Sequence, residues 1–165
     1  MARIELSTEG VSADAAEILN EVESAFGLVP NVFRAYAHHP PLLRANWDKV
    51  RRVMDEGALD RRLKEAIAVA VSGDNGCDYC VSVHSQALQA FGAPEGAADS
   101  LLSTGEDGLP EGFSDRERAL LRLVRKSNRA PLEVTDEDID AVRKAGWSDA
   151  ELVEAAKKGE KETVQ

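Results

Sequence analysis

Cys77, Cys80 and His84 stand three and four positions apart, the spacing that stacks side chains on one face of a helix. Two thiols and an imidazole therefore meet by geometry. A cysteine in the first turn of a helix lies near unpaired backbone N–H groups and the positive helix end, which favour the thiolate, the form of sulfur that reacts. Cys77 takes that place, directly after the Gly-containing stretch 72–76. Cys80 is one turn in, with His84 next along the stripe. An imidazole there can accept the thiol proton and, as imidazolium, stabilise the sulfur anion.

The same residues have other uses. Cysteine is among the most buried residue types, so a pair at helical spacing also fits plain core packing. The helix break before Cys77 and the facing His84 weigh against that reading. Cysteine and histidine ligate zinc, but a closed structural site wants four ligands, and His38 or His39 would have to complete the set Cys77, Cys80 and His84. A zinc-binding adaptor or a non-catalytic thiol redox sensor is thus the alternative to an enzyme. Haem attachment is excluded because Val81 rather than histidine follows Cys80, and two cysteines are too few for an iron–sulfur cluster. A thioredoxin-like oxidoreductase would set the motif beside a βαβ pattern that this sequence lacks.

Glu65 is the fourth candidate, twelve residues before Cys77. Its neighbours Leu63, Ala66, Ile67, Ala68, Val69, Ala70 and Val71 leave little polar surface, so a carboxylate there needs a buried partner. His84 is the natural one. A carboxylate accepting from one imidazole nitrogen sets the tautomer and leaves the other nitrogen for the thiol. The remaining polar clusters read as structure: His38-His39 before two prolines as a helix end, Asp136, Asp138 and Asp140 as an acidic first turn, and Arg51-Arg52 and Arg61-Arg62 as solvated faces. Residues 72–76 lack a following Lys-Ser/Thr and form no phosphate loop.

The elements that must position these groups are all helical, since no stretch shows sustained period-2 alternation or β-branched clustering. Ser12 caps a first helix that ends at Phe26-Gly27, a second runs from Pro30-Asn31 to no further than His39, and a third from Pro41 to about Glu56 carries Leu42, Leu43, Trp47, Val50 and Met54 on one stripe. Asp60 caps a fourth whose body 63–71 is apolar on nearly every side and belongs inside the core, with residues 72–76 breaking it. The helix of Cys77 runs to Phe91, a short one spans 94–102, and a Gly-rich loop follows. Ser114 with Glu117, and Ser148 with Glu151, are capping boxes, and Thr135 opens an acid-led helix between them. Residues 1–155 read as one helical domain and 156–165 as a polar, frayed tail.

With 165 residues the chain has enough length for one core. A formal charge of −10 repels phosphate backbones and anionic lipid, which excludes nucleic acid and membrane surfaces as partners. The start of the chain lacks an apolar signal region, and the longest apolar run, 66–71, is far too short to cross a bilayer. The reading is a soluble, cytoplasmic protein, in which an ordinary structural disulfide would be kept reduced.

The pattern Glu65-x11-Cys77-x2-Cys80-x3-His84 resembles the active-site motif of the AhpD-like, carboxymuconolactone decarboxylase-related superfamily. The surrounding stretches 63–71 and 80–84, and the upstream run 26–34, are similar to its peroxidase-related branch. The resemblance covers roughly residues 20 to 150. It implies a compact AhpD-like all-α domain with the CxxC at the N-terminus of a core helix, and alkylhydroperoxidase chemistry. A thiolate reduces a hydroperoxide, passes through sulfenic acid and closes a Cys77–Cys80 disulfide, which a lipoyl- or thioredoxin-type dithiol donor reopens. No metal or flavin cofactor is required, and a homo-oligomer is implied. Family practice makes Cys80 the attacking thiol, Cys77 the resolving one, His84 the base and Glu65 the end of the proton relay. Tyr79 departs from the pattern, since the best-known AhpD enzymes carry a second histidine there. The polar end of the chain departs as well, where relatives run on into an apolar helix.

Physical magnitudes point to the same assignment of the sulfurs. The helix end contributes about 0.3 to 1 kcal/mol to a thiolate at Cys77. A close charge partner such as His84 moves a pKa by roughly 1 to 3 units, a larger effect, and it acts on Cys80. Two sulfurs one helical turn apart can approach bonding distance, so Cys77 and Cys80 are expected to pair on mild oxidation.

Overall fold

The computed structural model describes residues 4–6, 9–103 and 111–158. These are helical and include no strand: α1 (Ala13–Phe26), α2 (Asn31–Tyr36), α3 (Pro40–Asp55), α4 (Arg61–Asp74), α5 (Asp78–Ala90), α6 (Ala97–Ser103), α7 (Asp115–Arg129), α8 (Asp136–Lys144) and α9 (Asp149–Lys158), with a 3-10 turn at Pro131–Glu133. No helix among them is long and apolar enough to cross a membrane. Most of the Gly-rich loop after α6 and the last residues of the tail lie outside the described residues.

Caps set most of the boundaries. Ser12 accepts from the Ala15 amide, Asp60 from the Leu63 amide at 2.9 Å, and Ser114–Glu117 and Thr135–Asp138 close as reciprocal capping boxes. Ser148 and Glu151 make the same exchange at the start of α9. Each such cap contributes about 1 kcal/mol. Asp138 also accepts from Lys126 at 2.6 Å, and that cation holds its carboxyl down at about 2.

The chain forms two compact units, one from the residues up to Arg52 and one from Val53 onward. In the first, Ile18, Leu19 and Val22 of α1 pack with Phe33 of α2 and Leu43 and Trp47 of α3. The Trp47 ring stands edge-on to Phe26 and Phe33. Glu21 ties α1 to α3: Arg44 donates to both its oxygens at 2.7 and 2.8 Å, and Trp47 Nε1 donates at 2.8 Å. The Arg44 hydrogen bonds hold the Glu21 carboxyl down at about 2. On the expected stripe of α3, Leu43, Trp47 and Met54 are buried, whereas Leu42 is 44% exposed. Leu42 and Leu43 are neighbours 100° apart around the helix, and on α3 it is Leu43 that faces the interior.

In the second unit α4 is the central element. Every residue from Leu63 to Val71 is buried, and α5, α6, α7 and α9 pack around it. Burial of a Leu, Ile or Val side chain contributes about 1.5 to 3 kcal/mol, so this helix anchors the unit. It is longer than expected. Ser72, Gly73 and Asp74 continue the helix instead of breaking it. Asp74 presents a carboxylate only 1% exposed to Arg125 and Arg129 of α7, at 2.6 and 2.5 Å. Gly73 allows the close approach of Leu102 from α6, whose Cδ2 would lie 2.5 Å from any Cβ there. Asn75 and Asn128 exchange amide hydrogen bonds beside them. The sequence at 72–74 reads as loop chemistry, and tertiary partners overrule it.

Candidate active site

The first cysteine is placed by the way α4 ends. Gly76, at φ +65°, turns the chain. The Cys77 amide donates back to the Ser72 carbonyl at 2.9 Å and the Gly76 amide to the Gly73 carbonyl at 3.1 Å. This is the Schellman closure of a helix, with glycine where a side chain would be strained. Cys77 thus completes the end of α4 and also serves as the N-cap of α5, where its Sγ accepts from the Cys80 amide at 3.4 Å. It sits one position before the first turn expected from the sequence, still among the free N–H groups of the helix start.

Cys77 and Cys80 are joined in a disulfide with Cα atoms 5.4 Å apart. Both residues are half-buried. His84 follows Cys80 by one turn of α5 with its side chain 27% exposed, and its Nδ1 lies 2.7 Å from Oε2 of Glu65. Glu65 comes from the middle of α4 and is 1% exposed. The bond thus joins an enclosed carboxylate to a solvent-reachable imidazole on the helix that carries the sulfurs. A carboxylate oxygen only accepts, so Nδ1 donates to it, and in the neutral form of the ring the lone pair then lies on Nε2.

Glu65 has a second partner that the sequence reading missed. Arg61, one turn earlier on α4, donates through Nε to Glu65 Oε1 at 2.8 Å and through Nη1 to Asp55 Oδ1 at 2.7 Å. Its guanidinium lies 4.8 Å from the centre of the Phe91 ring. Arg62 pairs with Glu117 and lies over Phe113. The expectation that Arg61 and Arg62 form a solvated face is therefore corrected. The i, i+4 spacing of Arg61 and Glu65 was the available signal.

A further buried pair holds the unit together away from the sulfurs. Lys64 donates to the Met54 carbonyl at 3.2 Å and lies 2.8 Å from Oε1 of Glu154, whose other oxygen accepts from the Ala58 amide at 2.6 Å.

The other candidates stand apart from this site. His38 Nε2 donates to the Glu5 carbonyl at 2.8 Å and so binds the N-terminal segment, while His39 Nδ1 accepts from the Leu42 amide at 3.2 Å at the start of α3. Asp136, Asp138 and Asp140 form the acidic start of α8. Tyr79 is 52% exposed. Among the described residues no group of three or more His, Cys, Asp or Glu side chains is placed to hold a metal ion.

The chain is similar to several known proteins. Over 89 residues the chain is 34% identical to an alkyl hydroperoxide reductase of Mycobacterium tuberculosis, a match covering 54% of this chain and 26% of that protein. The chain therefore spans about a quarter of that relative's length. The solved alkylhydroperoxidase AhpD core of Ralstonia eutropha, an uncharacterised peroxidase-related protein, superposes with a TM-score of 0.79 at 30% identity, covering 94% of this chain and 80% of that one. A peroxidase-related protein of Silicibacter sp. shares the fold with a TM-score of 0.82 at 24% identity, covering 95% and 81% of the two chains. The profile of the carboxymuconolactone decarboxylase family matches residues 40–126, more than half the chain, from the start of α3 into α7. The helix that encloses Glu65 and the one that carries Cys77, Cys80 and His84 both fall within that match, and the chain belongs to the carboxymuconolactone decarboxylase family, in its AhpD-like branch.

Proposed function

We propose that this protein is a thiol-dependent peroxidase that reduces hydroperoxides through a dithiol–disulfide cycle of Cys80 and Cys77. The observation that carries the reading is the Glu65–His84 hydrogen bond beside a disulfide that closes one turn of helix. Similarity to proteins named for alkylhydroperoxidase activity supports it.

In the reduced protein His84 Nε2 takes the Cys80 proton, and Glu65 balances the charge that develops on the ring. The thiolate attacks the distal oxygen of the hydroperoxide. The O–O bond breaks, the alcohol leaves with a proton returned by His84, and Cys80 becomes a sulfenic acid. The Cys77 thiol then attacks that sulfur, expelling water and closing the disulfide. A dithiol donor of the lipoyl or thioredoxin type restores both thiols and is itself oxidised to a disulfide. No metal or flavin takes part, and the working state is a homo-oligomer.

The test is a stoichiometric assay on reduced, metal-analysed protein. One equivalent of an alkyl hydroperoxide should yield one equivalent of alcohol and consume two thiols per chain, and turnover should require an added dithiol. Stoichiometric zinc on freshly purified protein, or thiols that survive excess peroxide, would overturn the reading in favour of a zinc-binding adaptor.

A further inference from the structure

We propose that Arg61 is a positioning residue of the site, which keeps Glu65 charged and thereby holds His84 in the tautomer that can serve Cys80. The inference rests on the reading of His84 as the base of Cys80. Glu65 sits among the apolar residues of α4 at 1% exposure. A carboxylate in such surroundings is costly without a counter-charge, and the neutral acid is the cheaper form. A neutral acid would be the wrong partner. It could donate to Nδ1, leaving the ring hydrogen on Nε2, where no thiol proton could then be taken.

Arg61 supplies the counter-charge at the oxygen that His84 does not use, 2.8 Å from Oε1. Its own position is set from two sides. Asp55, the last residue of α3, binds Nη1 at 2.7 Å, and the Phe91 ring just past the end of α5 lies beneath the guanidinium. A line of charge and hydrogen bonds thus runs from Asp55 through Arg61 and Glu65 to His84.

Other charged groups packed around α4 have partners elsewhere. Lys64 pairs with Glu154 of α9, Arg62 with Glu117 of α7, and Asp74 with Arg125 and Arg129 of α7. Asp99, the charged residue of α6, is exposed. Arg62 is therefore a matched control. It neighbours Arg61 and makes a comparable ion pair and ring contact, but with Glu117 and Phe113.

The test uses the reduced full chain carrying Cys77→Ser, so that Cys80 is its one thiol, and measures alkylation by iodoacetamide against pH. Arg61→Gln should slow alkylation at pH 7 about tenfold and move the profile up by about one pH unit, the smaller end of what a lost charge partner does. Arg61→Lys should restore most of the rate, because it restores the charge. Adding Arg61→Gln to Glu65→Gln should cause no further shift, since the arginine acts through the carboxylate. Arg62→Gln should lower stability and leave the profile in place.

A profile that His84→Gln moves and Arg61→Gln does not would overturn the proposal while sparing the role of His84. A profile that His84→Gln leaves unmoved removes the base itself, and the proposal falls with it. Should Arg61→Gln fail to fold, the pair Asp55→Asn with Phe91→Leu, at two exposed positions, decides. A partial upward shift supports the inference, and an unchanged profile overturns it.

Discussion

At the scale of single residues, two sulfurs three positions apart have different surroundings. Cys77 caps α5 and closes the end of α4, while Cys80 lies one turn before His84, whose other nitrogen is held by Glu65. In the proposed cycle the helix end acts mainly on the first sulfur and the imidazole on the second, and a close charge partner has the larger effect. Cys77→Ser should therefore retain a first-turnover reaction with peroxide and accumulate a sulfenic acid on Cys80 that dimedone traps. Cys80→Ser should lose both. Mass spectrometry that finds the adduct on Cys77 in the Cys80→Ser protein, at an undiminished first-turnover rate, would reverse the roles.

At the scale of elements, the site depends on how α4 stops. Asp74 is enclosed at the last turn and is held by Arg125, which also donates to the Leu101 carbonyl at 3.1 Å, and by Arg129. The turn that follows carries Gly76 and delivers Cys77. Arg125→Met would leave a buried carboxylate with Arg129 as its remaining cation among these contacts. Breaking a buried pair costs about 3 to 5 kcal/mol, and the lower end applies where one partner stays. A loss of about 3 kcal/mol should appear as a fall of roughly 6 to 12 °C in the thermal midpoint. Disulfide closure after peroxide should also slow, since the placement of Cys77 loosens. A midpoint within a couple of degrees of the parent would show that the Asp74 cluster does not hold the turn.

At the scale of the whole molecule, the chain carries a formal charge of −10, yet Leu132, Val153, Tyr79 and Phe91 remain largely exposed. Apolar exposure of this kind is what self-association covers, and we expect light scattering at micromolar concentration to give a mass at least twice the 17.8 kDa of one chain. A monomer under those conditions would count against the homo-oligomer. Much of the rest was readable in advance. The helix order, the caps at Ser12, Asp60, Ser114, Thr135 and Ser148, and the burial of the 63–71 segment follow from periodicity and capping chemistry, which act between residues a few positions apart. The pairing of Cys77 with Cys80 was legible for the same reason. The partner of Glu65 could also be reasoned out, because a buried carboxylate on an apolar helix must have one. Other features depended on contacts between groups far apart in the chain. Asp74 and Gly73 carry loop-like residue types, and it took Arg125, Arg129 and Leu102 from other helices to extend α4 through them. Arg61 looked like solvated surface, and only the packing of α3 and α5 brought Asp55 and Phe91 to it. Local pattern decides which residues share a helix face, while long-range pairing decides which charges lose their water and so must find each other.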